Sequence, residues 1–388
     1  MSRMPLLIYV LAAGVFLMGT TEFIVAGILP EIAADLGVSV ASAGLTITVF
    51  AVGMIVGTPT MAVLTLKVPR RVTLSLSLLV FAIGHILLAL SSDLAFILIA
   101  RFVTALATGA FWAVAAVVAA KAVTPSSSSK ALGIVLGGGM LANVAGVPLG
   151  SFAGQAIGWR GPFWILTIMA LIAALIIYKQ VPAEKASATT PSIRAELQSL
   201  KDVRVWLVFA SAAIVCGSSL AAYSFISPLL TKRTGLPAEA VPLVLVVYGI
   251  GAFIGSNVGG NLGVKNPCRL LWTSAICTFL SLAGLLIFAD YQWPTVILIG
   301  LLGLFGMSTN PVLIGMAVRF ASSAPTLASA LSTASFNFGT AVGSWIAGLT
   351  IATSWAVTGP VLVGIVIAAL YALPLSFLMR SEREVLTV

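Results

Sequence analysis

Apolar stretches long enough to cross a bilayer follow one another along the whole chain, and little else can be built from such a pattern. Twelve are present, at about 5–29, 41–66, 72–91, 94–120, 131–155, 161–179, 205–229, 241–263, 270–288, 295–317, 327–350 and 357–379. A helix needs about 20 residues to span the hydrocarbon core. Of 388 residues, 60% are hydrophobic and 8% are charged, whereas a soluble domain carries about 25% charged residues. Too little charge is left to cover the surface for water. The pattern predicts an all-α membrane protein of 12 transmembrane helices.

The net charge of +9 raises nucleic-acid binding as a possibility, and the placement of the charges removes it. With the N-terminus in the cytoplasm, 16 of the 20 basic residues fall in cytoplasmic segments, among them Lys67, Arg70, Arg71, Lys121, Lys130, Lys179, Lys265, Arg269 and Arg380. Arg160, Lys232 and Arg233 fall outside, and Arg101 lies within a span. This asymmetry is the positive-inside rule. It predicts a multi-pass protein of a bacterial cytoplasmic (inner) membrane with both termini inside. Arg3 and the apolar run after it read as a retained first helix, since the run outlasts a signal-peptide core and offers no small-residue cleavage site. Cys216, Cys268 and Cys277 show no metal spacing and read as packing residues.

One long polar stretch, 181–204, contains Pro182, Pro191 and mixed charge. It reads as a cytoplasmic linker, with a short surface helix at 193–202. It divides the chain into two six-helix bundles, 1–180 and 205–388. The halves also repeat each other. Gly53, Gly57, Leu64, Lys67, Pro69 and Arg71 recur at Gly251, Gly255, Leu262, Lys265, Pro267 and Arg269, always 198 residues on; Gly146, Gly150 and Ser151 recur at Gly339, Gly343 and Ser344, 193 residues on. Such self-similarity marks a transporter made of two parallel, pseudo-symmetric repeats. The four-residue glycine spacing suits close helix approach, either as static packing or as faces that slide when the halves rock.

Ionisable residues at bilayer depth are costly and usually functional. Glu22, Arg101 and the sole histidine, His85, are the three candidates. Counted at 1.5 Å per residue from the helix ends, all three sit roughly 10 Å below the outer surface. That places a carboxyl, a guanidinium and an imidazole at one level. Glu22 is the candidate proton carrier, because burial and a nearby cation act on a carboxyl in opposite senses. The alternatives are a structural Glu–Arg pair, or direct binding of a cationic substrate by Glu22. His85 is either a satisfied structural histidine or a proton relay.

Several motifs together resemble the major facilitator superfamily, in particular its twelve-span drug:proton antiporters near the bacterial chloramphenicol-resistance and sugar or nucleoside exporters. They are Gly19-Thr-Thr-Glu-Phe23, Arg101 to Gly109, Ala145-Gly-Val-Pro-Leu-Gly150 with Gly158-Trp-Arg160, Ala222-Tyr-Ser-Phe-Ile-Ser-Pro228, and Phe336-Asn-Phe-Gly339. The resemblance implies a fold in which spans 1, 4, 7 and 10 line a central cavity flanked by spans 2, 5, 8 and 11. It implies that Gly146, Pro148 and Gly150 form the exporters' antiporter motif, and that Arg101 is the span-four arginine linked to proton transfer. Lys67, Arg70 and Arg71 then gate the cytoplasmic side. Here the chain departs from the family pattern: Leu66 stands where an Asp usually precedes these basic residues, which removes the usual charge-relay latch.

Phe111, Trp112, Asn143, Tyr223, Phe225, Asn310 and Asn337 are the candidate substrate-binding residues of that cavity, since pockets combine apolar walls with a few placed polar groups. One acid and one base suit a neutral, zwitterionic or weakly polar solute such as an amphenicol, a sugar or a nucleoside. The chain has one histidine and no GxxxxGK[ST] loop, so metal-dependent chemistry and ATP-driven pumping are disfavoured. The expectation is therefore a non-enzymatic, monomeric exporter of a small organic molecule by proton antiport, powered by the proton motive force without cofactor or metal. An importer and a non-transporting sensor are the weaker readings.

Overall fold

The computed structural model describes residues 4–65, 68–124, 127–182, 202–321 and 325–386. The linker reading at 181–204 lies mostly outside them, as do Leu66 and Lys67. In hydrocarbon no water satisfies backbone polar groups, so each apolar run closes its hydrogen bonds on itself as a helix. The helices are α1 (Leu6–Phe23, continued by the 3-10 turn Ile24–Gly27), α2 (Val40–Leu64), α3 (Arg70–Leu90), α4 (Leu94–Lys121), and α5 (Ser128–Leu141, a π-turn Ala142–Gly146, then Val147–Ile157). There follow α6 (Gly161–Gln180), α7 (Val203–Ser224, resuming as Ile226–Lys232), α8 (Val241–Lys265) and α9 (Pro267–Phe288). The last are α10 (Gln292–Ser308, then Asn310–Phe320), α11 (Pro325–Ile351) and α12 (Gly359–Leu370, then Ala372–Leu386).

Helix ends follow local chemistry. Asp93 caps α4 by accepting from the Phe96 N–H at 3.1 Å, and Asp202 caps α7 by accepting from the Arg204 N–H at 2.8 Å. Pro162, Pro242, Pro267, Pro311 and Pro360 sit in first turns, where their missing N–H is not needed. A short helix not expected from the sequence, Leu29–Leu36, joins α1 to α2 at the outer end and stops at Gly37 with φ 64°.

Among the described residues, 11 helices are long and apolar enough to cross a membrane on composition alone. The exception is α11, 27 residues long but studded with hydroxyls. Those groups are satisfied within the helix: Ser332 donates to Ala328 O at 2.8 Å, Ser335 to Leu331 O at 2.8 Å and Thr340 to Phe336 O at 3.1 Å. Its polarity therefore carries little desolvation cost, and α11 crosses with the others.

The internal repeat is visible as packing. A Cβ on Gly53 would lie 2.8 Å from Phe102 O and one on Gly57 would lie 2.9 Å from Leu106 Cα, so α2 lies on α4. Gly251 and Gly255 press on Gly300 and Leu304 in the same way, laying α8 on α10. Gly146 and Gly150 face Thr20 and Ile24 of α1, and Gly339 and Gly343 face Ala213 and Gly217 of α7. The repeated glycines thus knit helices inside each half: at Gly53, Gly57, Gly251, Gly255, Gly339 and Gly343 another helix's backbone comes close, and at Gly146 and Gly150 side chains of α1 do. Between the halves, α1 meets α7, α2 meets α11, and α5 meets α8. Gln155 Nε2 donates to Ala238 O at 2.8 Å, Thr48 Oγ1 pairs with Ser344 Oγ at 2.8 Å, and the Phe225 ring lies against Gly44 and Gly348. These contacts lie toward the helix ends at Ile157, Lys232 and Ile351, so the halves meet closely at that end.

Candidate functional site

Arg101 lies two turns into α4 and is fully buried. A guanidinium has five donors and a fixed charge, so its partners define the centre of the site. Nη1 donates to Thr21 O at 2.9 Å and to Thr21 Oγ1 at 3.1 Å; Nε donates to Thr46 O at 3.2 Å. The guanidinium carbon lies 4.2 Å from the centre of the Phe50 ring, a geometry that adds up to about 2 kcal/mol when desolvated. Nη2 is buried and has no partner among the described residues.

Glu22 is next to Thr21 but does not close on the guanidinium. Its carboxylate is half-buried and makes no ion pair or side-chain hydrogen bond among the described residues. The next residue, Phe23, meets Tyr223 of α7 edge-on at 6.4 Å, which puts this stretch of α1 where the halves meet. The carboxyl therefore stands between the halves, one residue from the Thr21 that holds a buried cation.

His85 joins the network from behind. Its Nε2 lies 2.7 Å from Thr21 Oγ1 and its Nδ1 lies 2.6 Å from Phe81 O. The ring packs between Phe81 and Phe163, with centroids 4.1 and 5.5 Å away. The three ionisable residues thus do share one level, with Thr21 as the connector. His85 touches Thr21 rather than Glu22.

The other candidates divide into three sets. Trp112, Asn143 and Asn310 are partly buried and carry polar atoms without partners: Trp112 Nε1, Asn143 Oδ1 and Asn310 Oδ1. Asn143 Nδ2 donates to Gly139 O at 3.4 Å, and the six-membered ring of Trp112 lies against Gly139, so the two side chains flank the same glycine. Asn337 is buried and spends its amide on Thr333 O at 3.0 Å. Phe111 is a correction: its ring fills the notch above Gly14 and is fully buried, because it points one residue, about 100° of helix, away from Trp112. Tyr223 and Phe225 also lie outside any open wall. Tyr223 stacks on Tyr248 at 4.1 Å and meets Phe23 edge-on at 6.4 Å. With Phe225, these rings pack where the halves meet, next to Glu22.

Of the motif residues, Gly146 ends the π-turn of α5 and, with Gly150, lies on the face that meets α1, whereas Pro148, two residues from each and so about 200° round the helix, is buried on another face. The inserted turn matters because π-turns cluster at functional sites. Arg71 holds its guanidinium 4.4 Å over the Tyr178 ring, tying α3 to α6 at the inner end, and Arg70 is half-buried beside it. Among the described residues no cluster of His, Cys, Asp or Glu has the makings of a metal site.

Four groups escaped the sequence reading: Thr21, Thr46, Phe50 and Tyr248. Thr21 stands within the Gly19–Phe23 motif, which was the available signal. Thr46 acts through its backbone carbonyl, and no residue type announces that.

The chain matches the family model described as Major Facilitator Superfamily over residues 11–309. It is 36% identical to a chloramphenicol resistance protein of Streptomyces lividans, over 92% of each chain. It is 30% identical to the inner membrane transport protein YdhP of Escherichia coli (strain K12) over 97% of each, and 28% identical to a probable sugar efflux transporter of Helicobacter acinonychis over 87% of this chain and 86% of that one. Among solved structures, an inward-facing, unoccupied bacterial homolog of the human lysosomal transporter Spinster superposes with a TM-score of 0.77 at 16% identity, over 97% of each chain. Helix order, paired halves and sequence agree: the chain is a multi-pass transporter that belongs to the Major Facilitator Superfamily.

Proposed function

We propose that this transporter exports a small, neutral or zwitterionic organic molecule of the amphenicol type in exchange for protons, by alternating access between two rocking halves in a bacterial cytoplasmic membrane. The observation that carries the reading is Glu22. It is an intramembrane carboxyl without an ion-pair partner among the described residues, where the halves meet and one residue from the Thr21 that holds a buried guanidinium. Such a group is free to take a proton or a substrate, one at a time, and that exclusion couples the two fluxes. Charge placement supports cytoplasmic termini, and the outer contacts support an inward-facing arrangement. Trp112 Nε1, Asn143 Oδ1 and Asn310 Oδ1, buried here and without partners among the described residues, would offer one donor and two acceptors to an uncharged solute once the halves move apart.

Export and the amphenicol class are supported by the name of the Streptomyces relative. A second reading, sugar efflux, is favoured by the Helicobacter relative, and the same hydrogen-bonding atoms suit sugar hydroxyls. The test is purified protein in liposomes with chloramphenicol or a sugar at equal concentration on both sides. Imposing a pH difference drives the substrate uphill if the reading is right. Flux that only follows the substrate's own gradient overturns antiport, and uphill movement of the sugar alone replaces the substrate class.

A further inference from the structure

The contacts around Thr21 constrain the placement of hydrogens, and charge decides between the two arrangements they allow. A backbone carbonyl only accepts, so His85 Nδ1, 2.6 Å from Phe81 O, carries a proton. A guanidinium only donates, so Thr21 Oγ1 accepts from Arg101 Nη1 at 3.1 Å. Thr21 Oγ1 keeps a second lone pair, so by geometry His85 Nε2, 2.7 Å away, either accepts the hydroxyl proton as the bare nitrogen of a neutral ring or donates as an imidazolium. An imidazolium in this place would set a second cation against Arg101, with the one nearby carboxyl, Glu22, bonded to neither. Phe81 and Phe163 cover the ring and provide no counter-charge.

We propose that Thr21 and His85 are positioning residues: a one-way chain of donors, from Arg101 to Thr21 to His85 and from His85 to Phe81 O, holds the guanidinium out of ion-pair contact with Glu22. Glu22 and Thr21 are neighbours on α1, so both compete for the same cation. The hydroxyl, fixed by the histidine behind it, keeps Nη1, and Nη2 is left bare. If the hydroxyl is removed, Nη1 loses an acceptor and the guanidinium swings toward the carboxylate one residue away. His85 then serves as an anchor and carries no transported proton. The consequence for coupling rests on the antiport reading of Glu22, whereas the donor chain itself does not.

The test uses the fact that the chain contains one histidine. Protein purified through a histidine-free tag, labelled with nitrogen-15 histidine and placed in bilayers gives one imidazole signal pair. The expected spectrum at neutral pH is a neutral ring protonated on Nδ1, with Nε2 shifted by an accepted hydrogen bond. T21S keeps that shift and T21V removes it. An imidazolium, or a proton on Nε2, overturns the chain in the wild-type protein without any variant having to fold. In liposomes, T21V is expected to lose about tenfold or more of the pH-driven flux, the scale of a charge-assisted hydrogen bond. T21S is expected to stay within about twofold of wild type. Equal pH-driven flux in T21V overturns the positioning role. Substrate flux in the wild type that ignores the pH difference overturns the antiport reading instead, and the spectrum still decides the donor chain.

Discussion

On the alternating-access reading proposed above, replacing Gly249 with alanine shifts the transporter away from the arrangement in which the halves meet here, the outer-closed one. Gly249 of α8 crosses α5 where the two halves meet: an added Cβ would run into Asn143 O and lie 2.7 Å from both Asn143 C and Val144 Cα. These are backbone atoms, so no rotamer change relieves the clash. Overpacking of this kind costs about 1–3 kcal/mol. The cost falls on the closed state alone, because separating the halves on the outer side removes the contact. The population ratio then moves by about 5- to 150-fold toward the outward-open state. Gly251, two residues on, is the control. Its Cβ would meet Gly300 and Leu304 within the same half, a contact present in both states, so G251A lowers thermal stability without moving the equilibrium. Spin labels at the exposed outer positions Ser92 and Glu239 report the separation by pulsed electron resonance. A longer distance in G249A and an unchanged one in G251A is the expected pair of results. An unchanged G249A distribution, or an equal shift in both, refutes the assignment of this crossing to the moving interface.

Two further outcomes follow from the same geometry. In the outer loops, Arg160 bonds Asp35 and also donates to Ser91 O at 2.9 Å, holding the Asp35 carboxyl below the usual carboxylate range. A lowered acid contributes stability that is present above the unfolded value of about 3.9 and lost as pH falls through the folded one. D35N is therefore expected to cost about 0.2–1 kcal/mol at neutral pH, the scale for an exposed pair. The difference closes on acidification; a gap in melting temperature that is constant down to pH 3 contradicts this. Trp112→Phe removes the free Nε1 donor while keeping the ring. It is expected to raise the substrate KM about 3- to 10-fold with little change in maximal rate, the scale of one neutral hydrogen bond. An unchanged KM removes Trp112 from the binding wall.

Much of the scaffold was legible because lipid imposes a simple rule: apolar run, helix, crossing. The repeat was legible too, since Gly53, Gly251 and Gly339 mark places where another helix's backbone comes close, and Gly146 a place where the Thr20 side chain does. Ionisable residues at one depth found one another, as Arg101 and His85 do through Thr21. What sequence alone left open is the direction of each helix face. Phe111 and Trp112 are neighbours in sequence, yet one packs on Gly14 and the other faces Gly139. The breaks at Phe225 and Thr309 and the π-turn at Ala142–Gly146 were also hidden, because an apolar run reads as continuous whether or not its hydrogen bonds slip. The short helix Leu29–Leu36 follows from Pro30 and Gly37, but only as a connector too brief to register in hydropathy.

The central claim is that one carboxyl couples the fluxes, and Glu22→Gln tests it most directly, since the amide keeps the shape and cannot lose a proton. Two fluxes are measured in the same liposomes: exchange of labelled for unlabelled substrate without a gradient, and uphill movement driven by a pH difference. The account predicts that E22Q keeps the exchange and loses the uphill movement. Uphill movement that persists in E22Q at the wild-type rate contradicts it and sends the search for the proton site elsewhere in the molecule.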